Sequence, residues 1–296
     1  MEEQDVVIVG AGIAGLATAV ALKRVGVGAL VLEKSEGLRA TGAALGLHPN
    51  AWLALDALGV SHKLTTTYAP CRKRNVTNVD TGATQQVPST EPNKNGHELR
   101  IVRRKALLEA LAEELPTETI RYSSKLNSIV TQVEEGSSYA IIHMENGVSI
   151  KAKVNRNYIR AGFFPLNEEL YWFLTNLPSK SSRGEDIAHD PELIKKEVIS
   201  NFAKNFPASY LRVVQHLDLS TVTWAPLMFR FPWDVIIGNL SKGNITVASD
   251  AMHPMTPDLG QGGCSALEDA VVLGRHIGNL VIKTKSLWQE IKWLRP

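Results

Sequence analysis

The stretch D-V-V-I-V-G-A-G-I-A-G-L at residues 5–16 constrains this chain more than any other. Residues 6–9 are an unbroken β-branched run, the pattern of a strand buried on both faces of a parallel sheet. Gly10, Gly12 and Gly15 follow at G-x-G-x-x-G spacing, and a helical pattern begins at residue 13. In such a turn Gly10 makes the tight bend, Gly12 lets a pyrophosphate approach the backbone, and Gly15 lets helix and strand pack closely. The helix N-terminus adds free N–H groups and the positive end of its dipole. Residues 29–32 form a second apolar strand ending at Glu33. An acid there, about 20 residues past the turn, can grip a ribose 2′-OH. Strand, turn, helix, strand and acid in this order predict a dinucleotide site rather than a ligand-free glycine turn.

The 296 residues suffice for one large or two modest domains. With 44% apolar and 21% charged residues the chain falls in the ordinary globular class. A net charge of +2 makes no case for a nucleic-acid-binding surface. Cys71 and Cys264 are too few for a disulfide framework or a metal site, so a reducing compartment, cytoplasm or organellar matrix, is expected. No apolar run reaches membrane-spanning length. The first strand begins near residue 5, so no targeting peptide is visible.

The first helix reads over residues 13–26, apolar on its sheet side through Leu16, Ala17, Val20 and Ala21. Residues 37–46, with Arg39 and Thr41, are rich in glycine and alanine; they form either a close approach to a flat ligand or a mobile loop. His48-Pro49-Asn50 opens a short helix carrying Trp52, Leu53, Leu55 and Leu58, stopped at Gly59. Residues 72–87 alternate around Asp80-Thr81-Gly82 and read as a hairpin. Arg100, Arg103, Arg104 and Lys105 lead into a helix with Leu107, Leu108, Leu111 and Leu115 on one face. Cations there oppose the macrodipole, so they mark an anionic partner or a solvated charge run. Strand patterns follow at 120–122, 128–133, 140–143, 148–154, 158–164 and 170–174, with a turn at 145–147. A polar linker at 177–190 precedes a helix from Pro191 to about 206, and another helix follows Pro207. Residues 221–230 read as a strand with a turn at Pro232-Trp233 beyond it, and 245–249 as another buried strand of the nucleotide domain. A helix over 264–282 buries Ala266, Leu267, Ala270, Val271, Leu273 and Ile277.

Between that last strand and helix lies S-D-A-M-H-P-M-T-P-D-L-G-Q-G at 249–262. Together with Gly10, Gly12, Gly15 and Glu33, it resembles the FAD-dependent aromatic hydroxylases. These are the single-component flavoprotein monooxygenases that include para-hydroxybenzoate and salicylate hydroxylases, and the plant members are most similar. The resemblance implies an α/β fold: a Rossmann-like FAD-binding domain and a mixed β-sheet substrate domain. The first would take residues 1–72, 97–154 and 241–296, and the second 73–96 and 155–240. It implies FAD as cofactor, NAD(P)H and O2 as co-substrates, and hydroxylation or epoxidation of a small organic, aromatic substrate. Gly10, Gly12 and Gly15 would hold the pyrophosphate and Glu33 the ribose, with Ala14 and Lys34 beside them in the cofactor set. Arg104, in R-x-x-L-x-x-x-L with Leu107 and Leu111, would help hold the cofactor. Asp250 would bond its ribityl or phosphate region, and Pro257, Gly260, Gln261 and Gly262 would pass close to the isoalloxazine ring. The following helix start would face the ring edge that gains negative charge on reduction.

His253 reads as a loop anchor rather than an acid–base group, and Glu268 and Asp269 as carboxylates favoured early in a helix. Phe163, Phe164, Tyr171, Trp172 and Phe173 form either a wall of the substrate site or core. Two departures from the family stand out. Ser249 replaces its glycine, and no D-G dipeptide occurs anywhere. Lys151-Ala-Lys-Val154 runs directly into Asn155-Arg156-Asn157, so a strand of the central sheet is missing and a gap in the core is expected. That leaves an alternative, an FAD-binding paralogue or splice form with impaired catalysis. A nicotinamide-dependent dehydrogenase would use the first fingerprint alone and leave 249–263 unexplained.

Overall fold

The computed structural model describes residues 6–38, 44–78, 82–89, 91–125, 128–134, 137–143, 159–166, 169–176, 190–204, 206–224, 230, 235, 238, 240–242, 245–256 and 259–293. Arg39, Thr41, Pro257, the strand expected at 148–154, the turns at 145–147 and Pro232-Trp233, and the linker over 177–189 lie outside these residues.

Strand β1 (Val7–Val9) leads through Gly10 into α1 (Ile13–Arg24) and returns as β2 (Leu30–Leu32). β2 pairs parallel with β1, Val7 opposite Leu30 and Val9 opposite Leu32. This is the expected βαβ unit. The expected burial of β1 on both faces is not found: Val7 is 38% and Val9 48% exposed. Among the described residues β1 is the sheet edge, with no neighbour beyond it. Helix α1 departs from the expected one-sided pattern in the opposite sense, burying Ile13 and everything from Gly15 to Leu22. It lies between the sheet and other helices, so it has almost no solvent face to make polar.

Strand β3 (Ala44–Leu47) emerges from the stretch read as glycine- and alanine-rich loop. A Cβ at Gly46 would make only ordinary contact with the adjoining segment, 3.4 Å from Leu99, so nothing there requires glycine. Helices α2 (Pro49–Leu58) and α3 (Ser61–Thr65) follow, with α2 stopped at Gly59 as expected and Leu53 exposed. β4 (Lys73–Thr77) and β5 (Thr84–Pro88) form the expected hairpin. β6 (Arg100–Arg103) pairs antiparallel with β3 and runs directly into α4 (Arg104–Ala112). β7 (Ile120–Arg121) adds a third parallel strand on the free side of β2.

β8 (Ser128–Glu134) pairs antiparallel with β9 (Ser137–His143), and β10 (Ile159–Leu166) with β11 (Glu169–Asn176). Helix α5 (Pro191–Glu197) is capped by Asp190, which accepts from Glu192 N at 3.0 Å and Leu193 N at 3.2 Å. A π-helical turn over Val198–Phe202 and α6 (Ala208–Gln215) complete this part. The strand expected from residue 221 is not present at its start: Leu219–Thr221 is a 3-10 turn and 222–224 are irregular. Asp218 nucleates that turn by accepting from Ser220 N at 3.0 Å. β12 (Ser241–Lys242) and β13 (Ile245–Thr246) form a two-residue antiparallel ladder. The expected buried strand over 245–249 is therefore corrected. β13 is only partly covered and, among the described residues, joins no parallel strand.

Helix α7 (Gly262–Trp293) crosses α1 in the main core. A Cβ at Gly274 would lie 2.4 Å from Ala21 Cβ, and one at Gly278 2.6 Å from Val25 Cγ2. The G-x-x-x-G spacing on one helix face is the signal that sequence reading passed over. The main core joins α1, α2, α4, α7 and β3 around Trp52, Leu55, Leu107, Leu111 and Leu267. A second core gathers Ile194, Val198, Ala203, Tyr210 and Val214, with Trp172 and Trp224 against it. Among the described residues no helix is long and apolar enough to cross a membrane.

Candidate functional site

At the carboxyl ends of β1 and β2 a cleft of about 390 Å³ brings together Gly10, Gly12, Glu33, Lys34 and Arg104, all predicted from sequence. A larger cleft of about 600 Å³ opens at the other end of β2, between Lys23, Gly28, Pro116 and Arg121, and holds none of them. In α/β sheets ligands sit outside the carboxyl ends of strands, which selects the smaller cleft.

Gly10 has φ +102°, a conformation reserved for glycine, and its N–H donates to Leu32 O at 2.7 Å. A Cβ at Gly10 or Gly12 would meet nothing within 4 Å, so both present bare backbone to the cleft. Gly12 is the N-cap of α1 and no side chain caps that helix, so its first N–H groups are available to an anion. Gly15 does a different job: a Cβ there would sit 2.0 Å from Gly10 O. Ala14 packs against the main core and, with Gly15, is not part of the cleft lining. Glu33 buttresses the turn itself, its carboxylate accepting from Ala11 N at 2.7 Å and Ser35 N at 2.9 Å.

The basic cluster divides. Arg100 donates to the carbonyls of Thr65 and Tyr68 and lies over the Trp52 ring at 5.7 Å. Lys105 pairs with Glu109 at 3.7 Å on the helix surface. Of the four, Arg104 alone lines the cleft, and its Nε is buried with no hydrogen-bond partner among the described residues. A buried guanidinium donor left unmet, at a helix N-terminus whose dipole already disfavours a cation, points to an anionic ligand.

The second predicted loop is seated on α7. Ser249 has φ +55°, in the left-handed region where glycine is favoured. Its N–H donates to Asp269 Oδ2 at 2.8 Å, and His253 Nε2 meets the same oxygen at 2.7 Å. His253 is thus the loop anchor expected of it, while Asp269 is more than a dipole-favoured carboxylate. Asp250 is exposed on the 3-10 turn Ser249–Ala251. Gly260 has φ +62°, and a Cβ there would approach His48 Nε2 to 3.3 Å. Burial, then the Arg74 charge, lowers the His48 pKa, so its imidazole is neutral at neutral pH.

Gln261 Oε1 accepts from Asn50 Nδ2 at 3.0 Å, and the same nitrogen donates to Glu268 Oε2 at 3.0 Å. Gly262 begins α7, and a Cβ at Gly263 would lie 3.6 Å from Ile13 Cδ1. The N-termini of α1, α2 and α7 therefore converge, and their aligned positive dipole ends favour negative charge. Burial raises the Cys264 thiol pKa, which makes it an inert core residue. Among the described residues no group of His, Cys, Asp and Glu is placed to hold a metal ion. Asn50, Glu268 and Asp269 are the site residues that sequence reading missed; no local pattern pairs residues 218 positions apart.

Residues 3–159 match the family described as FAD binding domain. The chain is also 38% identical to Monooxygenase 2 of Arabidopsis thaliana, over 97% of this chain and 80% of that protein. It belongs to the FAD-dependent monooxygenases. Monooxygenase 1 of the same plant is 32% identical over 95% of this chain and 80% of its own length. The fold is that of Klebsiella pneumoniae HpxO complexed with FAD and uric acid, with a TM-score of 0.69 at 19% identity, covering 92% of this chain and 79% of that one. In this family FAD carries the redox chemistry, and the protein supplies binding, orientation and exclusion of water. Membership sets aside the nicotinamide dehydrogenase reading. The alignment with Monooxygenase 2 spans 341 positions against a chain of 296, so at least 45 of those positions have no counterpart in this monooxygenase.

Proposed function

We propose that this chain holds FAD with the pyrophosphate at Gly10, Gly12 and Arg104, the ribose at Glu33, and the ring beside the loop at 249–262. With NAD(P)H and O2 it then hydroxylates or epoxidises a small aromatic substrate. The buried, unpartnered Nε of Arg104 carries this reading, beside two glycines whose missing side chains leave the cleft open. When bound, FAD accepts reducing equivalents from NAD(P)H and activates O2. The chain's own residues have three tasks. The glycine backbone and Arg104 neutralise the pyrophosphate. Pro257, Gly260, Gln261 and Gly262 position the ring, Asp250 bonds the ribityl or phosphate region, and Lys34 stands beside Glu33 in the cleft. The converging helix N-termini stabilise negative charge developed there.

Uric acid in the HpxO complex is a planar heteroaromatic, which supports a flat substrate for this chain too. Of the aromatic strand, Trp172 packs edge-on to Tyr210 at 6.4 Å in the second core, while Tyr171 turns to the main core. Burial raises the Tyr171 pKa, keeping its hydroxyl protonated and able to donate. Reconstitution tests the cofactor reading: purified chain mixed with FAD should retain flavin absorbance through gel filtration. A colourless product would overturn it. The impaired-catalysis reading draws on the exposed edge of β1 and the 45 or more unmatched positions. NADPH oxidation coupled to O2 uptake in the presence of phenolic substrates separates the two, since sustained turnover excludes the impaired form.

A further inference from the structure

Asn50, Gln261 and Glu268 form a polar relay across the junction of α2 and α7. Asn50 stands in the first turn of α2, Gln261 immediately before α7, and Glu268 one to two turns inside it. One nitrogen, Asn50 Nδ2, donates to Glu268 Oε2 and to Gln261 Oε1, each at 3.0 Å. The chemistry of the three groups makes this order directional. An ionised carboxylate only accepts, so Glu268 obliges Asn50 to turn its NH2 toward it. The second hydrogen of that NH2 then requires an acceptor on Gln261, which turns its carbonyl inward. What remains at the outer end of Gln261 is its own NH2, which makes no hydrogen bond among the described residues.

We infer that Glu268, acting through Asn50, sets the side-chain amide of Gln261 so that it presents N–H donors to the flavin ring and favours reduced over oxidised cofactor. The inference rests on the placement of FAD beside 249–262 proposed above. A reduced ring carries more electron density than an oxidised one, so a fixed donor stabilises it preferentially, and a carbonyl in the same place does the reverse. Asn50 and Glu268 are positioning residues here, and Gln261 is the group that meets the ring.

The test is the midpoint potential and FAD affinity of wild-type, Asn50→Asp and Glu268→Gln protein, each reconstituted with FAD. Aspartate at 50 only accepts, so Gln261 turns its NH2 inward and its carbonyl outward. The binding of reduced relative to oxidised FAD then falls about tenfold, which for a two-electron couple is about 30 mV. Glutamine at 268 can donate or accept, so the amide polarity is no longer set, and the ratio falls about threefold. Glu268→Gln is the decisive variant. It removes a negative charge at an exposed position, which by simple electrostatics raises the potential, whereas loss of the relay lowers it. Glu268→Asp keeps the acceptor and should restore the wild-type value. Bound flavin whose potential rises or stays unchanged on Glu268→Gln overturns the relay alone. Wild-type protein that takes up no FAD overturns the cofactor placement and the relay together.

Discussion

Arg104 occupies the first position of α4, where a cation opposes the helix dipole, and its Nε has no partner among the described residues. Neither feature helps the unliganded chain fold. Both become favourable with a pyrophosphate in the cleft, where a charge-assisted hydrogen bond is worth about 1.5–3 kcal/mol. Arg104→Ala should therefore weaken FAD binding by about 10- to 100-fold while leaving the melting temperature of the FAD-free protein unchanged or raised. Flavin fluorescence titration beside thermal melts reads both; a large loss of FAD-free stability would contradict it. Ser249 is the reverse case, a residue held in strain by its surroundings, with its N–H tied to Asp269. Left-handed backbone costs a non-glycine residue about 1–2 kcal/mol, partly offset by the entropy glycine loses on folding. Ser249→Gly should stabilise the protein by about 0.5 kcal/mol in urea unfolding. A destabilised variant would show that the hydroxyl does something the backbone does not reveal.

Helices α1 and α7 set the distance between the two glycine-rich sites, because each begins at one of them and they pack against each other. Gly274 and Gly278 make the close approach possible, and no flexible side chain lies at either contact to move aside. A methyl at 274 would meet Ala21 Cβ at 2.4 Å and the Ala21 backbone carbon at 3.2 Å. Gly274→Ala should lower stability by about 1–3 kcal/mol through overpacking. It should also weaken FAD binding, since shifting α7 moves the loop at 249–262 away from Gly12. Unchanged affinity in a destabilised variant would show that the two sites tolerate separation. At this scale the sequence was legible wherever one local rule decides an element. The β4–β5 hairpin, the stop of α2 at Gly59 and the Pro-initiated α5 are such places. It was illegible where a distant neighbour decides. β3 is a strand only because β6 lies beside it, and 245–249 loses most of its strand where, among the described residues, no parallel neighbour extends it.

The molecule keeps a dense core around α1 yet, among the described residues, leaves the first strand of its fingerprint at the sheet edge. Val7 at 38% and Val9 at 48% exposure form a short β-branched edge of the kind that natural sheets usually cover or charge. At least 45 aligned positions of Monooxygenase 2 have no counterpart in this chain. The exposed edge should make the protein self-associate as concentration rises, and Val7→Lys should suppress this without affecting FAD uptake. Light scattering across a concentration series measures it; equal association in both proteins would show that the edge is not the contact.

Residue types and spacing alone pointed to the dinucleotide turn and Glu33, because each depends on short-range backbone and charge rules; Arg104 and the loop at 249–262 were singled out by the family resemblance. The tertiary structure decided what those rules leave open. It separated Arg104 from Arg100 and Lys105, which look alike in sequence and differ only in what surrounds them. It tied Asp269 to Ser249 and His253, and Glu268 to Asn50 and Gln261, across separations of up to 218 residues. Long-range pairing is set by which faces pack together, and packing is a property of the folded chain rather than of any window along it.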